Sequence, residues 1–479
     1  MSSFVQNILL KSAIILSGYT LLLPVLLLVF AVNNVLRCVL KIYLFCTCSK
    51  LELISNGIEN LFPGQPDGST DGIILGIVVS PSSSTLDLEA EQNFFMQNVI
   101  NKKLAKDGVK VYGRLEMVLE KKWGYGCRKK SDTFDVQEHV KVWIETVPAN
   151  GEFYMEQEFV AGIIPKLAKD FDKTIKPGWE WVIIPQVQIL NLGDSPVIVR
   201  VLRCHHSYMD GLSAGLLVTE CLMDFHDIGF LLLPFHIMER VFSGKSASGV
   251  DCDPMIGRGS GLRHFGVSKS LDFETVRYLW SSLERSENQN NTITNVLASI
   301  VVSALGQVLS RRGDISDNST LTFSTPTAIL PHPDSQPRNA VVPNNFCLPF
   351  GELAKHHDIQ LIDVSPSLPG TPTHYLLSCV GRLPGRIAGN IVKFVCQWFP
   401  ASTVFTSVPA TRVKGSLACC GSFVSDVGGW SVLPRQIGVS IVAISYGGGI
   451  RFWCVVDEAI MNHKDFDDFL DLLIVERQY

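Results

Sequence analysis

A chain of 479 residues, 46% apolar and 18% charged, is globular and too large for a single core, so two or three folding units are expected. A net charge of −5, with no Lys/Arg stripe interleaved with aromatics, excludes a nucleic-acid footprint. Thirteen scattered cysteines, with no CxxC pair and no Cys/His group at zinc spacing, read as buried reduced thiols with no metal site.

Ser12 to Val32 is uncharged and rich in Leu, Ile and Val. As a helix it would span about 30 Å, a bilayer's hydrocarbon core. Apolar character resumes after Asn33-Asn34 and runs to Cys48, which fits an uncleaved anchor better than a signal peptide. Arg37, Lys41 and Lys50 follow the segment and only Lys11 precedes it, placing the downstream side in the cytosol. Residues 1–50 are therefore expected to be a single-pass anchor, in the endoplasmic reticulum. Cys46 and Cys48 lie where palmitoylation would occur.

Residues 51–72 are dense in turn formers and read as a linker. Gly72–Ser80 is an apolar strand candidate, Glu89–Lys106 a helix, and Val109–Leu119 and Val140–Thr146 half-buried strands. Ile163–Phe171 reads as a short helix. Trp181–Leu190 and Val197–Leu202 flank the turn sequence Asn191-Leu192-Gly193-Asp194-Ser195, which predicts a hairpin. Its second strand delivers Cys204, His205 and His206 ahead of a helix at Leu212–Leu222. The apolar run Phe225–Phe242 is too short and broken to span a membrane; it would cover an acyl tunnel, lie on lipid, or form a buried crossover. Residues 243–260 are Gly/Ser/Pro-rich and mark a boundary, giving domains at 73–242 and 269–479 joined by 243–268.

In the second half, Ser270–Arg285 and Thr292–Arg311 are amphipathic helices, and Leu321–Pro326 and Asn345–Pro349 strands. Another helix is expected at about 386–398. Val439–Tyr446 and Ile450–Val456 flank Gly447-Gly448-Gly449, a hairpin signal. The pattern is α/β with mixed sheets.

His205-His206-Ser207-Tyr208-Met209-Asp210-Gly211 carries the chemistry. His356-His357 sits in a polar stretch and is read as structural. Neighbours on a strand point to opposite faces, so only one of His205 and His206 can face a given cavity. A neutral imidazole there can take a proton from a hydroxyl near neutral pH. No Gly-x-Ser-x-Gly elbow lies nearby. A Cys204–His206 nucleophilic pair is conceivable, but residues side by side on a strand are about 7 Å apart, too far for direct proton transfer. Asp210 can orient the turn, and Gly211 allows a positive φ or a close backbone approach.

The heptapeptide has the form HHxxxDG and resembles the motif of coenzyme-A-dependent acyltransferases of the chloramphenicol acetyltransferase superfamily. Further stretches, collinear from about residue 130 to 470, narrow the resemblance to the wax ester synthase/diacylglycerol acyltransferase family. They are Phe134-Asp135 to His139-Val140, Phe171-Asp172 to Pro177-Gly178-Trp179-Glu180, Thr292-Ile293-Thr294-Asn295-Val296, Asn344-Asn345-Phe346, Thr406-Ser407-Val408-Pro409 and Ser445-Tyr446-Gly447-Gly448. Gly178 replaces the family's usual Leu, Thr294-Asn295 replace Asn-Asp, and Ser407 replaces an Asn.

The resemblance implies two chloramphenicol acetyltransferase-like α/β domains with mixed sheets flanked by helices, behind the N-terminal transmembrane helix. A tunnel would run between the domains. The second histidine, His206, would be the general base, with His205 and Asp210 orienting and Gly211 in the turn. Thr294, Asn295, Asn345 and Ser407 are candidates for holding substrate or the oxyanion. The implied reaction is transfer of a fatty acyl group from acyl-CoA, a co-substrate and not a bound cofactor, to a long-chain alcohol or diacylglycerol at a membrane. The alternatives are a catalytically silent lipid-binding or lipid-transfer protein of the same fold, or a thioesterase.

Overall fold

The computed structural model describes the chain from Leu23 to Ile474, apart from 49, 56–58, 60–71, 83–85, 105–107, 147, 150, 170–174, 190–194, 223, 226–252, 256–259, 284–291, 317, 329–340, 351–358, 360–361, 363–378, 386, 392–401, 412–416 and 433–436. The expected features at 12–22, 191–194, 226–242, 356–357 and 392–398 therefore lie outside the described residues.

Two mixed sheets form the body, with helices packed against them. The first joins β2 (Ile73–Pro81), β5 (Val140–Val142), β7 (Trp179–Gln188), β8 (Val197–His205) and β17 (Asp426–Val432) in the order β17-β2-β8-β7-β5; β6 (Tyr154–Met155) pairs with β7. β2 and β8 are buried along nearly their whole length, as their almost unbroken apolar runs require of strands covered on both faces. The side bearing Leu75, Ile77, Val182 and Val199 packs against Trp430, Val442 and Trp453. The opposite side, with Val78, Trp181 and Cys204, packs against Phe95 of α2 (Leu88–Phe95) and against Ala214 and Leu217 of α3 (Gly211–Cys221).

The second sheet runs β10 (Arg263–Val267), β19 (Gly449–Asp457), β18 (Val439–Tyr446), β14 (Thr403–Thr411), β12 (Leu321–Ala328) and β13 (Val341–Leu348), with β11 (Leu271–Asp272) also on β19. The β18–β19 hairpin turns through Gly447 and Gly448 at φ 59° and 88°, the left-handed pair that a tight hairpin demands. Helices α4 (Phe273–Leu283), α5 (Ile293–Arg311) and α6 (His463–Leu472) accompany this sheet; α5 is mostly buried, which explains a membrane-like hydropathy in a core helix. Asp253, from the stretch expected to be only a linker, accepts hydrogen bonds from the Thr322 and Ser402 side chains and the Thr322 amide, and so belongs to the core.

β17 is the departure from two domains contiguous in sequence. It lies 347 residues beyond its partner position on β2, with Asp426 opposite Val79, and closes the edge of the first sheet. Two glycines permit the crossing: a Cβ on Gly428 would lie 1.8 Å from the Trp453 ring, and one on Gly429 2.4 Å from the Leu75 carbonyl oxygen. A small ribbon of β9 (Asp224–Phe225), β15 (Leu417–Cys419) and β16 (Ser422–Phe423) also joins the halves.

At the N-terminus, α1 (Leu23–Thr47) is the apolar helix, continuing through Asn33-Asn34 and ending one residue short of Cys48, the expected end of the apolar character. It does not stand clear of the body. Asn33, Arg37, Leu40 and Leu44 form a buried stripe; Arg37 donates to the carbonyls of Ile54 (2.7 Å) and Arg382 (3.1 Å), and Leu40 and Leu44 pack on Tyr125 and Cys127. Those two residues belong to a three-stranded sheet of β1 (Leu51–Leu53), β4 (Tyr125–Lys130) and β3 (Met117–Lys122), ordered β1-β4-β3. The expectation of a linker over 51–72 is thus corrected: β1 lies inside it, and Glu59 is a buried member of an ion-pair network. The strand expected at 109–119 begins instead at Met117, after a short helical turn at Gly113–Glu116.

Candidate active site at the end of a buried strand

The β7–β8 hairpin forms as its β-branched runs predict, and β8 ends at His205. Charges inside this buried strand are matched. Arg200 donates to Glu91 and Ser80, and Arg203 to Glu180. The chain leaving the strand is held from both sides: the His205 amide donates to Gly178 O (2.9 Å) and the His206 amide to Gly72 O (2.7 Å). Tyr208 N then closes a turn on His205 O (3.0 Å). Asp210, extended at φ −90° and ψ 176°, caps α3 by accepting the Ser213 amide (2.8 Å). That is what an aspartate at a helix N-cap does, and it names a partner that the sequence could not. Gly211 is the first residue of the helix, with open space where a Cβ would sit and no positive φ. Neither reason expected for a glycine there applies.

The two histidines differ in exposure. His205 is 1% exposed, and its Nδ1 accepts from the Ser207 amide (3.1 Å) and meets Ser207 Oγ at 2.7 Å. These two contacts tie the His205 ring to the turn that follows it. His206 is half-buried. The pair thus divides into a buried residue committed to the turn and a half-buried one beside it. Cys204 Sγ is fully buried against His205 O (3.5 Å), and burial pushes its thiol well above the ordinary range; a thiolate nucleophile is disfavoured there.

Several residues that brace this turn come from segments carrying the family resemblance, but their braces were not legible. Trp179 stacks between Phe95 (4.9 Å) and His139 (4.5 Å), and its indole donates to Leu115 O. His139 Nδ1 lies 2.7 Å from Trp179 O, and burial lowers this imidazole's pKa. Arg128 was missed altogether. From β4 it donates to Ser207 O (2.8 Å) inside the motif and to Glu59 (3.1 Å), which Arg114 also holds at 2.6 Å. Nothing in a lone Arg 79 residues upstream signals that role; only the burial of Gly126-Cys127-Arg128 inside β4 hints at a structural charge.

The other candidates lie in the second half. Thr292 caps α5 by accepting the Asn295 amide (3.1 Å), which places the half-buried Thr294 and the buried Asn295 in its first turn. Ser407 pairs with Ala443 on β18. Strand alternation gives Ser407 the face of Phe405, which packs with α5. Asn345 pairs with Ser324, itself level with Val404. It is therefore offset from Ser407 by three residues, about 10 Å along the strands. The structure thus gathers His205, His206, Asp210 and Gly211 into one strand–turn–helix unit, places Thr294 and Asn295 in the first turn of α5 and Ser407 on the strand face toward that helix, and sets Asn345 apart from Ser407. Among the described residues no three His, Cys, Asp or Glu side chains cluster as a metal site would.

Residues 366–473 match the family model of the WS/DGAT C-terminal domain. Among solved structures, the wax ester synthase/diacylglycerol acyltransferase of Marinobacter aquaeolei VT8 is similar over 88% of this chain and 97% of its own, at 13% identity and a TM-score of 0.53. The trichothecene 15-O-acetyltransferase of Fusarium sporotrichioides is similar over 88% and 94%, at 10% identity and a TM-score of 0.51. F. graminearum TRI101, solved with coenzyme A and T-2 mycotoxin, is similar over 86% and 96%, at 10% identity and a TM-score of 0.50. No curated protein matches the chain by sequence. The fold is the two-domain, chloramphenicol acetyltransferase-like α/β fold, and the C-terminal match agrees with the family that the motifs resemble.

Proposed function

We infer that this chain, built on the wax ester synthase/diacylglycerol acyltransferase pattern, is an O-acyltransferase moving a fatty acyl group from acyl-CoA to a lipid alcohol. The observation that supports the reading is the difference in burial at the end of β8: His205 is buried and bonded to Ser207, and His206 is half-buried beside it. A base for an alcohol must reach the hydroxyl it deprotonates, and of the two residues His206 is the less buried.

His206 removes the hydroxyl proton as the oxygen attacks the thioester carbonyl. The tetrahedral intermediate collapses with cleavage of the C–S bond, and the imidazolium returns the proton to the departing CoA thiolate. Acyl-CoA is consumed as a co-substrate. Hydroxyl or amide donors at Thr294, Asn295 and Ser407 are the proposed stabilisers of the oxyanion, a role for which fixed dipoles in a water-poor site are suited. Long-chain alcohols and diacylglycerol are the acceptors to try first, and the apolar α1 would keep the enzyme near both at a membrane, with its body on the cytosolic side.

The test is turnover with acyl-CoA and either alcohol by His206→Ala protein against wild type. A loss of about 10²–10⁴-fold, with unchanged melting temperature, is expected. Wild-type turnover in that variant would overturn the assignment. Free fatty acid as the wild-type product would indicate hydrolysis, and binding without turnover a lipid-carrier role.

A further inference from the structure

The helix α1 carries two stripes at helical spacing. Asn33, Arg37, Leu40 and Leu44, spaced 4-3-4, are buried against the body. Leu28, Val32, Val35, Val39 and Ile42, spaced 4-3-4-3, occupy the far side, and each is roughly half or more exposed. This outer stripe is about 21 Å long. A helix crossing a bilayer alone is surrounded by lipid. This one is sheathed along one side by protein from Asn33 to Leu44, and the guanidinium of Arg37 is spent on protein carbonyls.

A second element meets the same edge. The β3–β4 hairpin turns through Trp123 and Gly124, at φ 52° and 82°. Lys122 pairs with Tyr125, so Trp123 and Gly124 form a two-residue turn with the left-handed φ values that such a hairpin takes, and Trp123 stands at its tip. Trp123 is 54% exposed and stacks on Tyr43 of α1, with ring centroids 5.1 Å apart. Lys121 and Lys122 precede it on β3, and Lys41 lies two residues before Tyr43 on α1, so basic residues accompany both aromatics in sequence.

We propose that α1 lies in the plane of an anionic membrane surface, its outer stripe sunk to the upper acyl chains, with the Trp123–Tyr43 stack at headgroup level setting the depth. Amphipathic side chains with an apolar body and a polar tip take that position, and flanking lysines are drawn to anionic lipid. A second copy of the chain packed through the same stripe is the competing occupant, and the test below separates the two. This deepens the membrane association proposed above. Its test reads tryptophan depth and not turnover, so either idea can fail alone.

Full-length protein is bound to phosphatidylcholine vesicles with and without phosphatidylserine, brominated either high on the acyl chains or at their ends. The emission difference between wild type and Trp123→Phe isolates Trp123; that between Val35→Trp and wild type isolates the stripe. Both signals are expected to be quenched several-fold more by the shallow bromines, consistent with a burial of about 5–10 Å. Lys121→Gln with Lys122→Gln should lower the preference for phosphatidylserine vesicles by roughly tenfold or more. Three results would overturn the proposal: Trp123 emission indifferent to bromine, Val35→Trp quenched most by chain-end bromines as in a spanning helix, or Val35→Trp shielded from all bromines in a dimer that forms without vesicles.

Discussion

Asp210 and Arg128 act on the same seven-residue turn from opposite ends, and each can be removed in a graded way. Asp210→Ala deletes the acceptor for the Ser213 amide and should cost about 1 kcal/mol, while Asp210→Asn, also a good cap, should restore most of it. Chemical denaturation of the three proteins checks this. Arg128→Met strands the buried Glu59 with Arg114 alone and leaves Ser207 O without its donor. Breaking one side of a buried ion pair costs about 3–5 kcal/mol, so a large fall in melting temperature is expected. Arg128→Lys keeps the charge but loses the forked geometry; it should fold, melt closer to wild type, and lose turnover.

His139 belongs to this scale too. Its pKa is lowered chiefly by burial; the hydrogen bond to Trp179 O and the nearby Glu180 oppose the shift. The unfolded chain protonates His139 as pH falls through about 6.5, and the folded one does so only lower. Its contribution to stability is therefore full above pH 6.5 and lost as pH drops below it. Denaturant midpoints measured from pH 8 to 5 should fall more steeply for wild type than for His139→Gln.

Among the elements, those whose residues meet only near neighbours were readable. The β7–β8 and β18–β19 hairpins and α5 declare themselves by β-branched runs, a Gly447-Gly448 turn and a Thr292 cap. The HHxxxDG turn was readable because its parts are contiguous. β17 was not. Gly428-Gly429 reads locally as a break, and the reason for both glycines, the Trp453 ring and the Leu75 carbonyl, is remote in sequence. Arg128, Glu59 and the docked stripe of α1 escaped for the same reason: a buried charge looks like a surface charge until its partners are known. Gly428→Ala tests this element directly. Trp453 would have to move, and overpacking of this kind costs typically 1–3 kcal/mol. Thermal melting should register that loss, with proteolysis opening both halves together because β17 is shared.

The whole molecule is stitched across its two halves. Tyr125 and Cys127 of β4 carry α1, while Arg128 of the same strand holds the motif. Removing residues 1–50 would bare that apolar face and is expected to yield aggregated protein in gel filtration, in place of a soluble enzyme. The remote position of β17 has a further consequence, in time. β2 emerges from the ribosome nearly 350 residues before the strand that covers its edge. At about 5–20 residues per second its open, apolar flank waits on the order of half a minute for a partner. During that interval the first half is an unfinished sheet with an exposed strand edge, the kind of template on which neighbouring nascent chains pair wrongly.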